Sequence, residues 1–228
     1  MAPTLKSDLL LEALWEKGLI LLGDRVRREY ALKTPIFIDL RHKLYDDLDL
    51  LSQLGEALHA KLESVVAAEG QTEQRPQQVI GIPDTATPIA LSTALVSHQT
   101  PFELSYGQIR KNPANYPGGE RGTSSYMGGR SDDREITLVD DVMASGRTKR
   151  WAISELRKDG LEVKRILVVV DREQGGEDAE ALRDCSFHAL YKVTELIEYY
   201  LAAGTVDAEA AQAALDHVRG RQFREPEL

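Results

Sequence analysis

Three apolar runs in this chain stop at polar turns that open on an aspartate: VIGIP (Val79–Pro83) at Asp84, ITLV (Ile136–Val139) at Asp140, and ILVVV (Ile166–Val170) at Asp171. Runs this short and this continuously apolar read as strands buried on both faces. TATPIALSTALVSH reads as a helix after the first, and Thr148–Lys158 as a helix after the second. Strands alternating with helices build βαβ units, so the sequence predicts an α/β fold, a mostly parallel sheet flanked by helices. In such sheets ligands bind beyond the carboxyl ends of the strands. The clusters Pro83–Thr87, Asp140–Thr148 and Asp171–Gly176 are therefore expected to converge on one edge.

The remaining pattern surrounds this frame. Ser7–Gly18 reads as a helix with Ser7 as N-cap and Gly18 as stop. PIFIDLR (Pro35–Arg41) reads as a strand, and apolar residues at helical spacing run from Leu48 to Gly70. QTEQRPQQ (71–78) is a polar connector, and FELSY and FHALYKV are further strands. From Gly107 to Arg134 the chain shows neither period, and a run this long inside a compact domain marks a mobile functional loop or a disordered segment. Thr194 and Thr205 are candidate N-caps of two C-terminal helices. The sequence thus predicts one domain over 1–228: N-terminal helices and a small hood over 1–75, a core over 76–195 carrying the mobile loop 107–134, and C-terminal helices over 194–228.

The bulk composition excludes several function classes. With 28 basic against 37 acidic residues the net charge is −9, which argues against nucleic acid or an anionic membrane as partner. No apolar run approaches the roughly 20 residues of a membrane helix, and the start does not read as a signal peptide. The expected location is cytoplasmic. Cys185 is the only cysteine, so no internal disulfide is possible, and it reads as a semi-buried packing residue.

ITLVDDVMASGRT (Ile136–Thr148) carries the most chemistry. A loop of small residues running into a helix can present several backbone N–H groups to a phosphate, and Gly146 allows close approach. Acids just before such a loop would repel that phosphate, so they must face another part of the ligand. Carboxylates accept hydrogen bonds from sugar hydroxyls or hold a hydrated Mg²⁺. The string describes a sugar phosphate. Asp140 and Asp141 alone are equally readable as strand-end residues; the apolar strand before them and the helix after them favour the ligand. No G-x-x-x-x-G-K-[ST], no G-x-G-x-x-G after a strand and no zinc spacing is present.

ITLVDDVMASGRT resembles the phosphoribosyl-diphosphate (PRPP) motif of type I phosphoribosyltransferases. PIFIDLR, GIPDTATPIA, IRKNPANYPGG and VVVDREQGG are similar to segments of the orotate phosphoribosyltransferase family in particular, in order from about Lys33 to Val193. The resemblance implies a type I phosphoribosyltransferase fold and transfer of the phosphoribosyl group of PRPP to orotate, giving orotidine 5′-phosphate and pyrophosphate in pyrimidine (UMP) biosynthesis. It implies that Asp140 and Asp141 hold the ribose hydroxyls, and that Ala144, Ser145, Gly146, Arg147 and Thr148 hold the 5′-phosphate. Thr85 and Lys33 would also lie at PRPP, Arg172 and Lys33 at orotate, and Arg110 and Lys111 at the departing pyrophosphate. Asp140, Asp141, Arg110 and Lys111 are the catalytic candidates. Mg²⁺ would arrive with PRPP, through phosphate and water rather than protein ligands alone. A homodimer is implied, with loop 107–134 reaching the neighbouring subunit.

The sequence also departs from the family pattern. Ala114 stands where the mobile loop normally carries its catalytic lysine, Pro113 and Pro117 restrict that loop, Asp84 replaces a tyrosine, Ala144 a threonine, and Arg147 a small residue. The segment after Lys33 is shortened, so Lys33-Thr34 runs straight into Pro35. Two readings stay open: an active orotate phosphoribosyltransferase in which Lys43, Arg121 or Arg130 replaces the missing lysine, or a regulatory homologue that binds PRPP or a nucleotide without turnover. The retained DREQGG argues against a different base.

Overall fold

The computed structural model describes residues 5–41, 43–70, 75–111, 124–129, 133–176 and 180–220. Its centre is a six-stranded sheet of β3 (Gln77–Gly81), β4 (Leu104–Ile109), β5 (Tyr126–Gly128), β6 (Glu135–Met143), β7 (Val163–Asp171) and β8 (Ser186–Lys192). The spatial order is β5-β4-β3-β6-β7-β8. β3 pairs in parallel with β4 and β6, β6 with β7, and β7 with β8; only β5 is antiparallel. The predicted α/β class and mostly parallel sheet are what the chain adopts.

The middle strands are apolar throughout because both faces are covered. Val79, Val139, Leu167 and Val169 face one core with α1 (Leu5–Glu16), α3 (Leu48–Ala68), α4 (Ala86–Ser97), α6 (Val193–Ala202) and α7 (Ala208–Gly220). Ile80, Leu138, Ile166 and Val168 face the other, where α5 (Arg147–Lys158) supplies Ala152, Ile153 and Leu156. On α3, Leu50, Leu54, Leu58 and Leu62 form one buried stripe, and Asp47 caps the helix by accepting from the Leu50 N–H at 3.0 Å. Gly55 lets α3 approach α4: a Cβ there would lie 2.5 Å from the Ser92 hydroxyl.

Several boundaries differ from the sequence reading. β1 (Ile20–Leu22) and α2 (Asp24–Tyr30) were not predicted; β1 pairs antiparallel with β2 (Ile36–Ile38) in a separate two-stranded sheet. Three residues are too few to show a period. The connector 71–78 gives up Gln77 and Gln78 to β3, where both are buried. The run expected to be structureless from Gly107 carries strand at both ends: β4 reaches Ile109, and β5 returns along it with Ile109 opposite Tyr126. Positions 112–123 and 130–132, with Pro113, Ala114, Pro117, Arg121 and Arg130, lie outside the described residues. Thr194 sits inside α6, and α7 is capped by Asp207, which accepts from the Ala210 N–H at 2.8 Å. The Thr205 N–H instead closes α6 on Tyr200 O at 2.9 Å. Among the described residues no helix is long and apolar enough to cross a membrane.

At the edge where β3, β6 and β7 begin, Arg165 is fully buried. Its guanidinium donates to Glu69 Oε1 at 2.8 Å, to Gln77 Oε1 at 3.0 Å and to Glu135 Oε2 at 2.6 Å. Lys164 adds a second cation 2.6 Å from Glu135 Oε1. This network ties the end of α3 to three strands. Removing one partner of a buried pair leaves the other desolvated, so Arg165→Met is expected to destabilise the fold by about 3–5 kcal/mol, read as a lowered urea midpoint at unchanged m-value.

Candidate functional site

The site is built by register. β6 and β7 run side by side with Met143 opposite Asp171, and β3 lies on the other flank of β6 with Gly81 opposite Val139. Their following segments therefore leave the sheet together. A cleft of about 360 Å³ opens there, lined by Asp39, Arg41, Pro83, Thr85, Asp140, Asp141, Ala144, Thr148 and Arg172, with Phe37 and Ile82 among its apolar walls. Thr85, Asp140, Asp141, Ala144, Thr148 and Arg172 are thus brought to one place from the ends of three strands and the segments that follow them.

β6 does not end before the acids. It runs on to Met143, so Asp140 and Asp141 lie in the strand and point to opposite sides. Asp140 turns inward. Its Oδ2 is 2.6 Å from Lys149 Nζ and accepts from Thr148 Oγ1 at 3.2 Å, while its Oδ1 accepts the Asp141 N–H at 2.9 Å. Lys149 also donates to Val142 O. Asp141 keeps its side chain 14% exposed, with Arg41 Nε 4.0 Å from its Oδ2. Burial, and then the neighbouring Asp140 charge, push the Asp141 carboxyl up to about 7, against the opposing pull of Lys149.

The small-residue loop meets the turn after β7 backbone to backbone. Gly146 has φ 68°, and a Cβ on it would lie 2.6 Å from Gly176 O. A Cβ on Gly176 would lie 2.0 Å from Ala144 O. Both glycines are required by this approach. α5 begins at Arg147, so its first N–H groups open at the loop. Ser145 is half-buried and Arg147 exposed; Ser145 O accepts from Arg150 at 3.2 Å. Glu173, also at positive φ, accepts the Thr194 N–H and links this turn to α6.

Other predicted residues lie elsewhere. Arg110 and Lys111 flank a neighbouring cleft of about 520 Å³ with Tyr45, Asp84 and Pro88. Lys111 Nζ is 2.9 Å from Asp84 Oδ2, and Arg110 donates to Ser124 O at 3.0 Å. Lys33 is exposed in a separate cavity of about 570 Å³, with Asp24, Arg27, Asp207 and Glu209. The short link from α2 to β2 holds it on the α7 side, apart from the acids. Lys43 pairs with Glu29 at 3.4 Å. Cys185 is half-buried, donates to Val163 O, and has its thiol pushed up by burial, as suits a packing residue. The sequence reading missed Lys149, Asp39 and Arg41. DLR stood in the resemblance as a strand, while a lysine in a helix's first turn reads as solvated.

Two outcomes follow from this geometry. An unfolded aspartate titrates near 3.9, whereas Asp141 titrates at about 7. Between those values the folded state holds a proton that the unfolded state has released, so Asp141 costs stability as pH rises through this window. Asp141→Asn is expected to raise the melting temperature by several degrees at pH 8 and to leave it unchanged near pH 4; equal shifts at both would contradict the assignment. Gly176→Ala is expected to cost about 1–3 kcal/mol through overpacking against Ala144, measured by denaturant unfolding.

No protein-family model matches the sequence. Uridine 5′-monophosphate synthase from Bos taurus is 27% identical over 195 residues, 85% of this chain but only 37% of that protein. The chain thus spans little more than a third of that relative's length. Orotate phosphoribosyltransferase from Halobacterium salinarum is 30% identical over 138 residues, covering 60% of this chain and 73% of its own length. The crystal structure of orotate phosphoribosyltransferase from Francisella tularensis superposes with a TM-score of 0.67, covering 98% of this chain and all of that one at 13% identity; at that identity it speaks for the fold, which is that of the type I phosphoribosyltransferases. With a relative at 30% identity matched over nearly three quarters of its length, and the same motifs gathered in one cleft, the chain belongs to the orotate phosphoribosyltransferase family.

Proposed function

We propose that this chain transfers the phosphoribosyl group of PRPP to orotate, releasing pyrophosphate and forming orotidine 5′-phosphate for UMP synthesis. The observation that carries the reading is the single cleft shared by Thr85, the acid pair Asp140–Asp141, the Ala144–Thr148 loop and Arg172. Phosphate on the N-terminus of α5 and ribose against the acids place the anomeric carbon toward Arg172. Its planar two-pronged guanidinium suits the orotate carboxylate. The C1–O bond to pyrophosphate breaks as the C1–N bond to orotate forms, the orotate ring N–H gives up its proton to the departing diphosphate, and the sugar carbon is positively charged in between. The carboxylates stabilise that charge, Lys111 and Arg110 face the leaving group from the adjoining cleft, and no covalent nucleophile is required.

Mg²⁺ belongs to the same proposal. It would arrive on the diphosphate, with phosphate and water as its ligands. Bound there, it would neutralise the leaving group. The proposal extends to one domain over the whole chain, a cytoplasmic location in keeping with the acidic, single-cysteine composition, and a homodimer. Support for the dimer is exposed apolar surface beside the Arg110 cleft, where the lining residue Leu48 is 72% exposed.

One observation favours binding without turnover: Asp84 engages Lys111 and sets a carboxylate where pyrophosphate would depart. Orotate absorbance after mixing with PRPP and Mg²⁺ separates the two readings, with PRPP binding followed by calorimetry. Turnover is expected, and Arg172→Ala is expected to raise the orotate KM about tenfold or more with the PRPP KM little changed. Calorimetric binding without turnover would replace the catalytic reading with the binding one. An unchanged orotate KM would remove Arg172 from the base site.

A further inference from the structure

Adjacent acids are awkward in a pocket for a polyanion. Two ionised carboxylates would present two negative charges to a ligand that carries a phosphate and a diphosphate, and a buried pair would take up a proton instead. Lys149 opposes that uptake. Its side chain is 3% exposed and that of Asp140 7%, with 2.6 Å between Nζ and Oδ2. Once Asp141 is ionised, above about pH 7, the trio Asp140, Asp141 and Lys149 carries one net negative charge rather than two. Both Asp140 oxygens are already engaged, Oδ2 by Lys149 and Thr148 and Oδ1 by the Asp141 N–H. That last bond passes the constraint on, because the carboxylate held by Lys149 in turn holds the backbone of Asp141. Asp141 lines the cleft and is the more exposed of the two.

We propose that Lys149 is a positioning residue of the ribose site: acting through Asp140, it makes Asp140 an internal counter-ion and leaves Asp141 as the carboxylate presented to the ribose hydroxyls of the anionic sugar diphosphate. This rests on the phosphoribosyltransferase reading of the cleft and narrows it, since the two acids then have different tasks. Lys149 itself is buried and does not line the cleft. Its place on α5, two residues past the first, also couples the phosphate loop to the ribose acids, so that both halves of the sugar phosphate site are set by one side chain.

The test compares the parent, Lys149→Met and the double variant Lys149→Met/Asp140→Asn, with PRPP and Mg²⁺ as probe, at pH 8. Lys149→Met is expected to raise the PRPP KM about tenfold or more while kcat and the orotate KM change less than about threefold. The double variant restores the charge of the trio and keeps an acceptor for the Asp141 N–H. It is expected to bring the PRPP KM back down by at least about threefold relative to the single variant, a non-additive pair. If Lys149→Met does not fold, the double variant still decides, because no buried charge is left unpaired in it: a PRPP KM within about tenfold of the parent supports the proposal. A double variant that binds PRPP no better than Lys149→Met, or a single variant within about twofold of the parent, would overturn it. A parent that binds no PRPP by calorimetry would overturn the reading of the cleft, and this inference with it.

Discussion

Met143 opposite Asp171 is the pairing on which the cleft depends. Because β6 and β7 run parallel and end level, the loop after one lands on the turn after the other. The landing is tight enough that a methyl group on Gly146 would meet Gly176 O, and one on Gly176 would meet Ala144 O. A slip of one residue would reverse every side chain along β6 and exchange the places of Asp140 and Asp141. The apolar faces forbid such a slip, because Leu138 and Val139 are committed to opposite cores. Packing far from the site therefore decides which of the two acids turns inward to Lys149.

The parts of this arrangement that the sequence announces are those where a local pattern and a tertiary role agree. VIGIP, ITLV and ILVVV are apolar enough to be central strands and stop abruptly enough to mark the loops. The parallel sheet and the gathering of Thr85, Asp140, Asp141, Thr148 and Arg172 could be read from that alone. Lys149 could not. Nothing in RTKRW marks one base as buried; only the continuation of β6 through the acids turns Asp140 inward to meet it. β1 was too short to show a period, and Tyr126–Gly128 looked like loop because glycine and serine surround a strand stabilised by its neighbour rather than by its own composition. Lys33 was placed by motif alone, whereas the shortened link after it decides where it lies.

Charge in the cleft is arranged in pairs more than in patches. Asp140 answers to Lys149, Asp141 stands near Arg41, and Asp84 holds Lys111. The buried pair is held in a low dielectric, while the Lys111 pair is open to solvent and correspondingly weak. An anionic ligand of the kind proposed would exchange partners with the exposed groups and leave the buried ones in place. The chain's acidic balance is thus compatible with a phosphate site, because the cations that matter are local and oriented.

The Arg165 network occupies the opposite end of the strands from the cleft. Cohesion and chemistry are therefore separated by the length of a strand, and they draw on different residues. The start of the sheet works as an anchorage, and the loops at its far end can be remodelled without loosening it. A lineage carrying such a scaffold can accumulate changes like Asp84 and Ala144 at the working edge while the barrel of the tool, so to speak, keeps its temper. Asp84 and Ala144 accordingly read as retooling of an edge, set at the far end of the strands from the network that anchors them.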